Sequence, residues 1–166
     1  VQGFLISYLD IQPFIVTLCG LLFYRGLARF VASDETKGFG SASGFETLQS
    51  MATGSVAGIP TPFIILIGIS IVAWVLLHRS IFGRYLFAVG RNETAARYSG
   101  INSNMVVASA YILCAFLTSI AGILLAFYTN SVSPSSHGNF YELYGIAAAV
   151  LGGCSLRGGE GSIIGI

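Results

Sequence analysis

Charge is the first thing this chain lacks. Of its 166 residues, eight are Lys or Arg and seven are Asp or Glu, so 9% are charged where a soluble domain carries about 25%. With 54% hydrophobic residues and a mean hydropathy of +0.79, the chain has too few solvated side chains to cover a water-facing surface. That shortage excludes a soluble enzyme and a disordered tail. A net charge of +1 gives no basic field for a phosphate backbone, so no nucleic-acid partner is expected. Cysteine is scarce too: Cys19, Cys114 and Cys154 sit singly in apolar runs and read as small buried hydrophobes. His78 and His137 have no partner at metal-ligand or catalytic spacing, and both are expected to be solvated. No Ser/His, Asp/Asp or metal constellation lies in the apolar runs, so no catalytic residue, metal or cofactor is expected. The opening VQGFLISYLD lacks the basic start and small-residue cleavage site of a signal peptide.

What is present is a set of long apolar runs. A helix crossing about 30 Å of hydrocarbon needs about 20 residues. Pro13 to Ala32 is one such run, interrupted by Arg25 and Arg29; Ile59 to Leu77 and Met105 to Tyr128 are two more, both free of charge. Leu143 to Leu156 is shorter, as in re-entrant or broken helices. The expected fold is an all-α, polytopic transmembrane helical bundle with one short, re-entrant helix. The chain starts at Val1 and stops at Ile166 inside an apolar stretch, so an internal fragment of a single larger membrane domain is expected.

The loops give a direction. His78 to Asn104 carries Arg79, Arg84, Arg91 and Arg97 against Glu93, whereas Ser33 to Gly58 carries Asp34, Glu35 and Glu46 against Lys37. The positive-inside rule places loop 78–104 in the cytoplasm and the Ser33–Gly58 and Thr129–Glu142 loops outside. Asn92-Glu93-Thr94 fits the N-glycosylation pattern, but a cytoplasmic loop never meets the glycosylating enzyme.

Inside that loop, RNETAARYSGIN is expected to form a short helix. Asn92 suits an N-cap, Glu93 the first turn, Arg97 the last turn, and Gly100 the left-handed position beyond it. About seven residues make a marginal helix alone. It is either a linker held by its caps or a docking element, and the small Ala95 and Ala96 permit close approach.

The run Gly152-Gly153-Cys154-Ser155-Leu156-Arg157-Gly158-Gly159-Glu160-Gly161 does not match a phosphate loop. Gly153-x4-Gly158 is followed by Gly159-Glu160, where Lys and Ser/Thr are needed. Its glycines serve either tight packing of small residues or a turn at membrane depth whose backbone faces a polar solute. Counted from Pro13, Arg25 lies roughly 18 Å into the hydrocarbon, so it should face protein or water; Glu142 is the candidate partner. Tyr24, Trp74, Tyr85, Tyr128, Tyr141 and Tyr144 stand near segment ends, where interfacial belts place aromatics.

Three blocks together, IQPFIVTLCGLLFYRGLA (Ile11–Ala28), FGRYLFAVGRNETAARYSGI (Phe82–Ile101) and YELYGIAAAVLGGCSLRGGEGS (Tyr141–Ser162), resemble the permease subunit of ATP-binding-cassette importers for monosaccharides, of the ribose type. The branched-chain amino-acid permeases are related. The resemblance implies a single permease domain in a bacterial-type inner membrane. Its implied partners are a second permease chain, a separate ATPase subunit and an extracytoplasmic solute-binding protein. It implies that Asn92, Glu93, Thr94, Ala95, Ala96, Arg97 and Gly100 form the ATPase-docking helix. Candidates for the path of the sugar are Phe14, Thr17, Arg25, Glu142, Gly152, Gly153 and Ser155, and Trp74 is a further candidate to stack on a sugar ring. Tyr144 and Cys154 depart from the family's usual Asp and Thr, which bears on which sugar is carried. The competing reading is an ATP-independent transporter or channel for a small polar solute; the absence of ionisable groups in the two clean spans counts against proton or sodium coupling.

Overall fold

The computed structural model of the chain describes residues 1–38, 44–56, 58–163 and 165; part of the expected outer loop, 39–43 and 57, lies outside them. In chain order the elements are α1 (Gln2–Tyr8), α2 (Pro13–Ala32), β1 (Lys37–Gly38), α3 (Glu46–Thr53), β2 (Ser55–Val56), β3 (Ile59–Pro60), α4 (Thr61–His78), α5 (Ile81–Arg91), α6 (Glu93–Tyr98), α7 (Ser103–Thr129), β4 (Ser131–Val132) and α8 (Tyr141–Leu151). The protein is all-α, and α2, α4 and α7 are long and apolar enough to cross a membrane. Mean hydropathy over their membrane windows is 1.6, 2.2 and 2.3, and only 6%, 0% and 6% of those windows is covered by the rest of the chain. Their apolar surfaces suit hydrocarbon as solvent.

Boundaries differ from expectation where the backbone finds another partner. Ile59 and Pro60 do not start α4; they pair antiparallel with Val56 and Ser55, and Thr61 N–H donates to Gly54 O at 2.9 Å. The helix then opens with Pro62 in its first turn, where the missing N–H costs nothing. The short segment is Tyr141–Leu151 rather than 143–156. It stops because Gly153 takes a left-handed φ of +91°, while Cys154 N–H bonds Ala149 O and Gly153 N–H bonds Val150 O, a glycine-capped helix end.

The chain divides into two compact units. One comprises Val1–Gln12, Ile69–Ile112 and Gly138–Ile166. It holds α1, α5, α6 and α8, the end of α4 and the head of α7. In it α1 crosses α7 closely: a Cβ at Gly3 would lie 2.9 Å from Tyr111 Cβ. The other comprises Pro13–Gly68 and Leu113–His137. There β1 and β4 join the two expected outer loops, with Lys37 opposite Val132 and Gly38 opposite Ser131. Phe45 packs against the buried Phe127, ring centroids 5.9 Å apart. His137, expected to be solvated, instead buries its Nε2 without a hydrogen-bond partner among the described residues. The six aromatics assigned to interfacial belts are all exposed on the chain.

Candidate functional site

The stretch from the end of α4 to the head of α7 has its own core, caps and side-chain hydrogen bonds. It begins with a sharp turn. Ser80 Oγ accepts from Gly83 N–H at 3.1 Å, which caps α5. The His78 ring stacks on Trp74 and meets Phe87 edge-on, 6.2 Å between centroids. A continuous helix would separate positions 78 and 87 by about 13 Å along its axis, so α5 folds back across the end of α4. Only glycine fits at position 83, since a Cβ there would collide with the Leu77 carbonyl. The resulting helix is amphipathic: Gly83 and Val89 are buried, and Arg84 and Arg91 are exposed.

Asn92 ends one helix and starts the next. Its N–H donates to Ala88 O at 3.1 Å, its backbone is extended, and its Oδ1 accepts from Ala95 N–H at 3.0 Å. The expected N-cap is therefore in place. Glu93 lies in the first turn of α6 and Arg97 in the last, favourable at the two ends of the helix dipole. At the other end Gly100 adopts φ +83°, with Gly100 N–H on Arg97 O at 3.0 Å and Ile101 N–H on Ala96 O at 3.1 Å. This pair of bonds is the Schellman pattern, and it aims the chain into α7, whose first turn is capped by Asn102 Oδ1 on Met105 N–H at 3.2 Å.

The two alanines of α6 have different surroundings. Ala96 is buried, 5% exposed, in a cluster with Val89 of α5 and Val106 of α7, with Leu86, Ile101 and Val107 packed around them. Ala95 is exposed. At 100° per residue, Thr94 and Tyr98 point away from Ala96, and Tyr98 is 89% exposed. Tyr98 was not among the expected residues; its spacing of four from Thr94, on the face opposite Ala96, was the available signal. Arg97 is exposed but reaches along the module to the head of α7: its Nε donates to Ser103 Oγ at 2.9 Å and its Nη2 to Asn104 Oδ1 at 2.6 Å. Beside this core, an apolar cleft of about 460 Å³ opens between α5 and α7, lined by Ile81, Phe82, Tyr85, Gly100, Ile101, Asn102, Met105, Val106 and Ser109.

The glycine-rich run reaches the same region. Gly158 and Gly159 have φ of +86° and +74°, and their backbone lies on that of Gly90 and Arg91 at the end of α5. A Cβ at Gly90 would sit 2.6 Å from Gly159 N, and one at Gly158 would sit 2.8 Å from Gly90 O. For these glycines, close packing is the role that is visible. Gly153 has open space around its Cβ position, and Ser155 is exposed, its N–H donating to Glu160 O at 3.1 Å.

All seven expected docking residues, Asn92 to Arg97 and Gly100, thus fall in one small module. The path candidates fall in two separate units. Phe14, Thr17 and Arg25 lie on α2; Phe14 is 68% exposed, Thr17 Oγ1 donates to Pro13 O at 2.9 Å, and Arg25 is half-buried. Glu142, Gly152, Gly153 and Ser155 lie on α8 and the turn after it. Two ion pairs are present among the described residues, Arg29–Asp34 at 3.7 Å and Lys37–Glu35 at 2.7 Å, both exposed. No group of three or more His, Cys, Asp or Glu side chains that could hold a metal occurs among the described residues.

The chain is similar to known transport proteins along nearly its whole length. It is 38% identical to the ribose import permease protein RbsC of Escherichia coli K12 over 99% of this chain and 51% of that one. It is 40% identical to RbsC of Bacillus subtilis over 99% and 50%, and 36% identical to the fructose import permease protein FruF of Bifidobacterium longum over 99% and 46%. The chain therefore spans about half the length of the curated relatives it matches. No solved structure matches it significantly. The family model for the branched-chain amino acid transport system permease component matches residues 1–166, and the chain belongs to that family.

Proposed function

We propose that this chain is part of the permease subunit of an ATP-driven importer for a monosaccharide of the ribose class. The observation that carries the proposal is the 78–104 module. A six-residue helix that could not stand alone is held by two caps and a private apolar cluster, and it keeps Thr94, Ala95 and Tyr98 free on its outer side. Such an element is built to be touched by another protein. The relatives named as import permeases for ribose and fructose supply the class of solute.

In the proposed mechanism this loop faces the cytoplasm, as its arginines require. Glu93, Thr94, Ala95 and Tyr98 meet the ATPase subunit. Asn92, Ala96, Arg97 and Gly100 hold them in place. A second permease chain pairs with this one in an inner membrane crossed several times, and a solute-binding protein delivers sugar to the outer loops. Closure of the ATPases on ATP displaces α6, and the helices reorient around a path to which Phe14, Thr17, Arg25, Glu142, Gly152, Gly153 and Ser155 are the candidate contributors. This chain hydrolyses nothing itself.

The test is uptake of labelled ribose, xylose and galactose by the full-length permease reconstituted with its ATPase and binding protein. Uptake should stop when the ATPase is replaced by a hydrolysis-dead form. Uptake that continues without hydrolysis would make the protein an ATP-independent carrier.

A further inference from the structure

A docking helix moves a membrane helix only if the joint between them resists rotation. The backbone from Ser99 to Asn102 joins α6 to α7 through four residues, and the Val89–Ala96–Val106 cluster is an apolar contact without directional bonds. Backbone bonds fix Gly100 and Ile101 to the end of α6; among the described residues, the side-chain hydrogen bonds that run from α6 itself to α7 come from Arg97. Arg97 Nε donates to Ser103 Oγ at 2.9 Å and Nη2 to Asn104 Oδ1 at 2.6 Å. Two donors from a planar guanidinium to two successive residues fix an angle as well as a distance. Ser103 is 1% exposed with the arginine in place, whereas the Arg97–Asn104 bond is exposed, so the bond to Ser103 is the more expensive of the two to lose.

From these contacts we propose that Arg97 is a positioning residue for transport: it locks the docking helix to the head of α7, so that displacement of α6 swings α7 as a lever. The proposal rests on the docking role assigned to α6 above. It takes Arg97 off the docking face and places it in the transmission. Its guanidinium, though exposed, serves the bonds to α7, and the ATPase is met by Glu93, Thr94, Ala95 and Tyr98. With 27 residues, α7 is about 40 Å long, so a small rotation at Ser103 becomes a displacement of several ångströms at its far end. The backbone contact of Gly90 with Gly158 and Gly159, on the α5 side of the same module, adds the turn after α8 to the moving body.

The experiment uses the full-length permease with its ATPase and binding protein in liposomes, and reads three quantities: ATPase retained on the purified permease, ATP hydrolysed, and sugar carried per ATP. Arg97→Gln should retain the ATPase and its hydrolysis while sugar carried per ATP falls about tenfold, within the usual range of coupling between sites. Asn104→Ala should fall in the same direction by less, and the Arg97→Gln/Asn104→Ala double variant should be no worse than Arg97→Gln alone, because the two residues share a bond. Arg97→Lys keeps the charge but not the fork and should recover only part of the coupling. Loss of the ATPase from Arg97→Gln would make Arg97 a docking contact and overturn the proposal, as would unchanged coupling in all the variants. If Arg97→Gln fails to insert, Asn104→Ala carries the test: unchanged coupling there overturns the proposal. Failure of the unaltered permease to retain an ATPase would instead sink the docking role of α6, and is distinguishable because it precedes any substitution.

Discussion

The 78–104 loop and the three membrane-length helices obey different solvents. In the loop, apolar side chains pack on one another, helix ends are capped, and one buried hydroxyl has a dedicated donor. In α2, α4 and α7, by contrast, 6% of the membrane window or less is covered by the chain itself. Water forces the loop to satisfy itself, because each exposed apolar group and each uncapped amide there has a cost. Hydrocarbon imposes no such cost on an apolar helix whose backbone bonds are internal. A substitution should therefore be judged by which of the two surrounds it.

The largest contrast is expected at Ala96 and Ala95. Ala96→Asp places a charge in the Val89–Val106 cluster and should cost several kcal/mol, seen as faster amide exchange across 93–98 in the purified full-length protein. Ala95→Asp, on the exposed side, should leave that exchange unchanged. Next, Ile71→Asp in α4 should cost about 2.5–3.5 kcal/mol in a membrane-insertion assay, whereas an aspartate at Thr94 should leave insertion unaffected. An Ile71→Asp helix that inserts as well as the original would mean α4 lines water rather than lipid. Smaller again, Gly100→Ala forces a Cβ into φ +83° and should destabilise the loop by about 1–2 kcal/mol, read as protease sensitivity between 92 and 104. Asn92→Ala removes the Oδ1 cap of α6, leaving the backbone N–H bond that ends α5, and should cost about 1 kcal/mol, with Asn92→Asp restoring most of it. Smallest of all, Val72→Ala, 65% exposed on α4, should change thermal stability by no more than about 0.5 kcal/mol.

How far the sequence could be read follows the same division. The spans of α2, α4 and α7 were legible to within two residues at each end, because hydropathy over 20 residues is a strong local signal. The ends of α6 were legible because Asn92 and Gly100 carry their backbone preferences in their side chains. Helix α5 was not recognised, since Arg79, Arg84 and Arg91 break the apolar run. Its amphipathic spacing of Ile81, Phe82, Tyr85, Leu86 and Val89 was the available signal. The inward turn of Ala96 and the outward turn of Ala95 could not be told apart, as the two residues are identical and only the packed neighbours distinguish them. The same holds for Arg97, whose partners lie in the next helix, and for the contact of Gly90 with Gly158 and Gly159, which are nearly 70 residues away. The pairing of β1 with β4 joins two loops about 94 residues apart, and two-residue strands carry no periodicity to announce it.

Docking of α6 on the ATPase is tested most directly by contact from its outer face. A photo-crosslinking amino acid placed singly at Thr94, Tyr98 or Ser136 of the full-length permease, in membranes containing the ATPase and the binding protein, would report what each position touches. Adducts with the ATPase from Thr94 and Tyr98, and none with it from Ser136 on the opposite loop, are the expected result. ATPase adducts from Ser136, or none from either Thr94 or Tyr98 in a complex that transports, would contradict both the orientation and the docking helix.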